Sequence, residues 1–284
     1  MEFLKQLAKL TRIEHGVLYT IAVFMGIIIA GKIPDAPVLL LALLIPLFSE
    51  MGAFALNDYF DIAADRANKQ LDRPLVSGKI KPSFALWFSA ACIILSIILA
   101  YFISLPIFLL TLLLNILAVA YNAKLKELPL VGNFYIAFTI GIPFLFGNLV
   151  VAQTLLIPNI ILFVLGLVAG LGREIIKSIE DMEGDKQARK AKTLPLVIGE
   201  KPSLAIAVLL FLLFIPLAWL PFFYGLRGNI ISYIFVAAGV LCILANIYYA
   251  LKYNYKNART LSLIAFFFGL IGYLLSTAFI PLGL

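Results

Sequence analysis

Nine long apolar runs, separated by short polar segments, make up most of this chain. Each run approaches the roughly 20 residues that a helix needs to cross the hydrocarbon core of a bilayer. Because lipid cannot satisfy an open backbone, helices are the expected structure. The pattern predicts membrane-spanning helices over residues 16–31, 37–57, 83–103, 105–121, 131–151, 155–176, 203–222, 229–250 and 260–281. The third and fourth runs adjoin at Ile103–Pro106, which predicts a helical hairpin there.

The composition is that of a membrane protein. With 63% apolar and 13% charged residues and a mean hydropathy of +1.06, the 284-residue chain lies far outside the usual balance of a soluble domain. We therefore expect an all-α membrane protein with one domain over residues 1–284. Residues 1–15 interleave apolar and basic positions at helical spacing, which predicts an amphipathic helix lying on the membrane surface.

The cations lie almost entirely on one side of the predicted membrane. If nine helices alternate in direction, Lys32 and Arg227 are the only two of the 22 Lys and Arg residues on the side opposite the amino terminus. By the positive-inside rule, this multi-pass protein of the cell membrane has a cytoplasmic amino terminus and an external carboxyl terminus. The topology and the attraction of cations to anionic lipid headgroups explain the net charge of +7, so no nucleic-acid partner is expected.

A first acidic cluster follows the second predicted helix, on the cytoplasmic side. Asn57, Asp61 and Asp65 recur every four residues, so their side chains share one face if the helix continues. Asp58 lies at the edge of that face, three residues before Asp61. Because like charges at this spacing repel, the cluster needs cationic partners.

A second acidic cluster follows the sixth predicted helix, with Asp181 and Asp185 again four residues apart. Oxygen ligands without Cys or His favour Mg²⁺ or Ca²⁺ over zinc or copper. Mg²⁺ takes only one or two carboxylates and completes its shell with water and substrate phosphate, so the two clusters are suited to hold one diphosphate between them through bridging ions. His15 is the only histidine and both cysteines lie in apolar runs, which argues against Ser-His-Asp or Cys-His catalysis and against a disulfide framework.

Two further acids lie within the apolar runs. Glu50 and Glu174 each stand seven residues before a motif residue, Asn57 and Asp181 respectively, and so lie on the same helix faces. Intramembrane acids are costly and usually functional. Glu50 is therefore either a cavity group that binds the acceptor or supports the first cluster, or a structural partner of an Asn or Lys. In the sixth run, the G-x-x-x-G pair at residues 166–170 predicts close helix packing.

The two clusters, taken as a set, resemble known motifs. Residues 57–68, N-D-Y-F-D-I-A-A-D-R-A-N, followed by Arg73 and Pro74, resemble the first aspartate-rich motif of the UbiA-type intramembrane prenyltransferases. Residues 181–185, D-M-E-G-D, resemble their second motif. Residues 121–124, Y-N-A-K, resemble the basic motif between their fourth and fifth helices. The number of spans agrees as well, so the resemblance covers nearly the whole chain.

This resemblance implies a helical bundle around a central cavity, with cytoplasmic cap loops at about residues 58–82, 122–130 and 177–202. It also implies Mg²⁺-dependent transfer of a prenyl group from a prenyl diphosphate to an acceptor. The implied catalytic residues are Asp61, Asp65, Asp181 and Asp185, which with Asn57 are also the implied metal ligands. The implied substrate contacts are Arg12, Asn57, Asp58, Arg66, Lys69, Tyr121, Asn122, Lys124, Lys177 and Lys186.

The acceptor stays open at this stage between an aromatic ring and the hydroxyl of geranylgeranylglyceryl phosphate. The form D-M-E-G-D-K at residues 181–186 most resembles the archaeal lipid-synthesising branch of the family, whose donor is geranylgeranyl diphosphate. The acceptor phosphate would need cations of its own, and the second loop and the amino-terminal helix contain them. A cation-coupled secondary transporter is the alternative of another class, disfavoured because the acids cluster at one membrane face rather than at the midplane.

Overall fold

The computed structural model describes residues 2–67, 69–183, 186 and 192–277, and its regular elements in these ranges are helices. The helices are α1 (Glu2–Thr11), α2 (Ile13–Ile29), α3 (Ala36–Ala67), α4 (Pro82–Tyr101), α5 (Leu105–Ala123), α6 (Val131–Val151), α7 (Ile157–Glu180), α8 (Leu194–Ile198), α9 (Glu200–Leu217), α10 (Leu220–Phe223), α11 (Ile230–Leu251) and α12 (Tyr255–Thr277). A short 3₁₀ turn, Leu125–Glu127, connects α5 to α6.

Eight helical segments of the described chain are individually long and apolar enough to cross a membrane, with α9 and α10 counted as one. The first predicted span, residues 16–31, corresponds to α2, which forms with α1 a pair bent by 54° at Arg12; counted as one span, this pair brings the number to nine. The all-helical membrane architecture predicted from the apolar runs is thus confirmed. The last helix begins at Tyr255, before the predicted start at residue 260, and residues 278–281 of that prediction lie outside the described residues.

Helix α3 differs most from the sequence prediction. Its 32 residues continue ten residues beyond the predicted end at residue 57, so the first cap loop begins only after Ala67. At 1.5 Å per residue the helix is about 48 Å long, well beyond a hydrocarbon core of about 30 Å. The extension is possible because its aspartates find cationic partners, which removes the repulsion expected between like charges at this spacing.

Helix α1 is bound to the protein as well as being amphipathic. Leu10 is fully buried in a cluster with Ala55 of α3 and with Leu75 and Ile80 of the following loop. Lys9 donates a hydrogen bond of 2.7 Å to Asp72 in the same loop, and this bond lowers the pKa of the Asp72 carboxyl below its ordinary value. The amino-terminal segment therefore packs over the polar end of α3.

Glycines bring the central helices into close contact. A Cβ added at Gly147 of α6 would lie 2.1 Å from the carbonyl oxygen of Val23 in α2. A Cβ at Gly166 of α7 would lie 2.8 Å from the Cα of Gly141 in α6, which confirms the predicted packing role of the G-x-x-x-G pair. The predicted hairpin is also present, since α4 and α5 are joined through Phe102–Ser104 and Ser104 caps α5 by accepting a bond from the Ile107 amide.

Candidate active site

Three buried aspartates line the last turns of α3. Asp58, Asp61 and Asp65 expose only 2%, 7% and 5% of their surface, although none of them is in the apolar part of the helix. They lie three, four and seven residues apart and so form one ladder along the helix, which we call the aspartate ladder. Buried carboxylates are stable only when paired, so the partners of this ladder define the site.

Two arginines hold the outer members of the aspartate ladder. Arg73, from the loop after α3, lies 2.8 Å from Asp58 and 2.8 Å from Asp65. Arg12, at the bend between α1 and α2, donates to Asp58 at 3.0 Å, and its guanidinium lies 4.7 Å from the centre of the Phe54 ring. The bend requires a left-handed backbone at Arg12, with φ of 44°. Residues far apart in the sequence therefore converge on Asp58.

The middle aspartate pairs with a lysine that the sequence interpretation did not select. Lys126, in the 3₁₀ turn, donates to Asp61 at 2.5 Å, and both side chains are only 9% exposed. Lys124, the residue matched by the motif, has a side chain that is 75% exposed and pairs with Glu127 at 3.4 Å. The sequence signal that could have pointed to Lys126 is the Lys-x-Lys pattern of residues 124–126, but spacing alone does not reveal which of the two lysines turns inward.

The first motif and the last turn of α5 meet through an amide pair. Asn57 donates to the side-chain oxygen of Asn122 at 2.9 Å, and Asn122 donates in turn to the carbonyl of Ala118 at 3.0 Å. Tyr121 stacks on Tyr135 of α6 with ring centroids 4.8 Å apart. The structure therefore brings together two of the three stretches that resemble family motifs.

The second motif is described only in part. Asp181 follows the end of α7 and is half-buried, while Asp185 lies outside the described residues. Lys186 is exposed, and Lys177, in the last turn of α7, pairs with Glu174 at 3.8 Å. The buried Glu174 also pairs with its neighbour Arg173. Arg66 and Lys69, predicted substrate contacts near the first motif, are exposed.

The turn that carries Lys126 also reaches towards the second motif. The carbonyl of Glu127 accepts a hydrogen bond of 3.1 Å from the amide of Lys192, in the segment that follows the second motif. At the start of α6, Asn133 donates to the backbone oxygen of Glu174 at 2.9 Å and to Ser178 at 2.7 Å. The connection between α5 and α6 therefore touches both acidic regions.

A largely apolar cavity of about 70 Å³ lies beneath the aspartate ladder, between α2, α3, α5 and α6. Ala53 and Ala118 line it, and each stands one helical turn before a member of the Asn57–Asn122 pair. Glu50 lines the same cavity together with Tyr19 and Tyr135, and its side chain has no hydrogen bond or ion pair with a described residue. A polar end and an apolar interior thus adjoin, as an amphipathic ligand requires.

The donor chemistry of the site fits a hard divalent cation, since the buried groups are carboxylate and amide oxygens. Within the described residues no three carboxylates, cysteines or histidines gather around one point. Arg12, Arg73 and Lys126 already engage the aspartate ladder. A metal ion at Asp61 must therefore replace or share the contact with Lys126.

Comparisons with known proteins agree with this geometry. The model of the UbiA prenyltransferase family matches residues 18–278. A digeranylgeranylglyceryl phosphate synthase of Methanocaldococcus jannaschii is 35% identical over 282 residues, which cover 99% of this chain and 96% of that protein. A solved structure from work on digeranylgeranylglyceryl phosphate synthase in membranes superposes with a TM-score of 0.74 at 32% identity, covering 98% of this chain and 99% of that one.

A UbiA homologue from Archaeoglobus fulgidus, solved bound to GPP and Mg²⁺, has the same fold at 20% identity, with a TM-score of 0.65 over 96% of this chain and 99% of that one. The family match extends over nearly the whole described bundle, from α2 to α12. The protein is therefore a multi-pass membrane protein that belongs to the UbiA prenyltransferase family.

Proposed function

We propose that this protein transfers a geranylgeranyl group from geranylgeranyl diphosphate to the hydroxyl of geranylgeranylglyceryl phosphate, with Mg²⁺ as cofactor. The observation that carries the proposal is the buried aspartate ladder placed directly above an apolar cavity. A relative supports the proposal as well: the digeranylgeranylglyceryl phosphate synthase described above is 35% identical over almost the full length of both chains. Both membership of a prenyltransferase family and the position of the acids at one end of the helices argue against the transporter alternative.

Binding of the diphosphate is assigned to the polar end of the bundle. Asn57, Asp61 and Asp65 from the first motif, with Asp181 and Asp185 from the second, would hold Mg²⁺, which when bound neutralises charge on the departing diphosphate. Arg12, Arg73 and Lys126 surround the same carboxylates and supply further positive charge. Asn122 keeps Asn57 oriented through their hydrogen bond of 2.9 Å.

The prenyl chain is assigned to the cavity beneath the aspartate ladder. Its apolar lining excludes water that would otherwise capture the allylic carbocation. The cavity of about 70 Å³ is smaller than the ~300–1,000 Å³ of ordinary ligand pockets, so the surrounding helices must separate when a long chain enters. In the reaction the bond between the allylic carbon and the diphosphate oxygen breaks, a carbon–oxygen bond to the acceptor forms, and the proton of the acceptor hydroxyl passes to the released diphosphate.

The acceptor phosphate needs cations separate from those that meet the diphosphate. Lys177 lies at the end of α7, near Asp181, and its ammonium is partly accessible. We assign it, with Lys186, to the acceptor side of the site. We further propose that this end faces the cytoplasm, because nine spans of alternating direction would put all but two of the 22 Lys and Arg residues on that side.

The proposed reaction can be tested with purified protein in lipid nanodiscs and geranylgeranyl diphosphate. We expect release of diphosphate and formation of the digeranylgeranyl ether when geranylgeranylglyceryl phosphate is supplied. Efficient prenylation of 4-hydroxybenzoate without turnover of the glycerol phosphate lipid would overturn the assignment and favour the aromatic acceptor.

A further inference from the structure

The geometry points to Lys126 as an internal substitute for the divalent cation. We propose that its ammonium occupies the cation position on Asp61 until a prenyl diphosphate draws it away, so that Asp61 accepts Mg²⁺ together with the diphosphate rather than before it. The inference rests on the proposed function, because it concerns the order of binding at the same site.

The members of the aspartate ladder are held by different kinds of cation. Asp58 and Asp65 contact the guanidinium of Arg73, a planar fork suited to bridging two carboxylates in fixed geometry. Asp61 contacts Lys126, whose ammonium is a point charge on a flexible stem. Asp61 is therefore the aspartate whose partner exchanges most readily.

Among the described residues, three cations already contact the three carboxylates of the aspartate ladder before any metal arrives. These cations are Arg12, Arg73 and Lys126. A divalent cation added to this buried set would leave excess positive charge out of water, which is strongly unfavourable. A prenyl diphosphate brings the missing negative charge and offers Lys126 a new partner, so metal and diphosphate should each increase the affinity for the other.

The position of Lys126 also brings it near the segment that follows the second motif. The 3₁₀ turn that carries Lys126 spans only Leu125–Glu127. Three residues after the turn, Leu130 has a φ of 63°, which is unusual for a leucine. The Glu127 carbonyl in the same turn accepts a bond from the Lys192 amide. The turn that carries Lys126 is therefore in hydrogen-bonding contact with Lys192, seven residues after Asp185 in the sequence.

The test measures metal binding and not turnover. Binding of Mn²⁺, a spectroscopic substitute for Mg²⁺, is followed by electron paramagnetic resonance on the full-length protein in nanodiscs, with and without an unreactive geranylgeranyl thiolodiphosphate. For the wild type we expect weak binding alone and much tighter binding with the analogue. In Lys126→Met, removal of a like charge next to the metal should tighten binding without the analogue by roughly tenfold or more, and the enhancement by the analogue should shrink.

Lys124→Met is the matched control. It removes the same charge two residues away, from a side chain that is 75% exposed and pairs with Glu127. Its metal affinity without the analogue should stay within about twofold of wild type, because exposed charges interact weakly.

Two results would overturn the inference while leaving the proposed function standing. One is a metal affinity of Lys126→Met that equals the wild-type affinity when both are measured without the analogue. The other, which needs no variant, is a wild-type affinity that is equally high with and without the analogue. Absence of metal binding even with the analogue would instead overturn the proposed function, and this inference with it.

Discussion

Replacing Arg73 with Met removes the ion pairs that join the two ends of the aspartate ladder. Arg73 lies 2.8 Å from both Asp58 and Asp65, whose side chains are 3% and 8% exposed. Loss of one partner of a buried pair typically costs ~3–5 kcal/mol, because the remaining charge is left in a poorly solvated place.

The structure places Arg73→Met near the lower end of that range. Asp58 keeps its contact with Arg12 at 3.0 Å, and Arg73 itself is 24% exposed, so water can partly replace it. We expect the free energy of unfolding to fall by about 3 kcal/mol, a roughly 150-fold change in the folding equilibrium constant. Arg73→Lys should recover only part of this loss, because an ammonium does not bridge two carboxylates as a guanidinium fork does.

Reversible unfolding in mixed micelles, followed by circular dichroism as the denaturing detergent is increased, measures this loss. Lys79→Met is the control, since it removes the same charge from the same loop but Lys79 is exposed and lies 3.8 Å from the exposed Glu2. It should cost less than about 1 kcal/mol. Equal stability of the two variants would refute the reasoning that burial makes the Arg73 contacts strong.

Three further predictions concern catalysis. Asp61→Asn keeps a hydrogen-bond acceptor for Lys126 but removes the carboxylate charge. It should reduce the rate of prenyl transfer by about 10²-fold or more, with membrane insertion unchanged. Near-normal turnover would mean that another carboxylate binds the Mg²⁺-diphosphate. Exhaustive chelation should abolish turnover and added Mg²⁺ should restore it, whereas full activity after chelation would exclude a metal requirement. Lys177→Met should raise the apparent KM for the acceptor more than that for the prenyl donor, because a contact to a non-reacting group contributes uniform binding; a larger effect on the donor would place Lys177 at the diphosphate instead.

The location and face of the helices follow from the sequence because both depend on local periodicity. Apolar runs of membrane length can satisfy their backbone only as helices, so the nine predicted spans correspond closely to the described helices and the bent pair. The four-residue recurrence of Asn57, Asp61 and Asp65 likewise requires nothing beyond helical geometry to put them on one face. The family resemblance rested on these same local motifs.

The identity of the ionic partners depends on tertiary structure. Arg12 reaches Asp58 across 46 residues and Lys126 reaches Asp61 across 65. No local pattern contains these pairings, because they require particular helices to be neighbours and particular loops to fold inward. The motif match therefore favoured Lys124, whereas packing buries Lys126 against Asp61 and leaves Lys124 in solvent.

The length of α3 shows the same division between local and tertiary information. From the sequence, the predicted helix ends with its apolar run at residue 57, and the family resemblance implies a cap loop from residue 58 onwards. Aspartates at helical spacing also repel one another unless cations compensate them. In the folded protein Arg12, Arg73 and Lys126 neutralise that repulsion, and the helix continues to Ala67. The sequence by itself determined that the acids share a face, while only the tertiary structure supplied the cations that let the helix carry them.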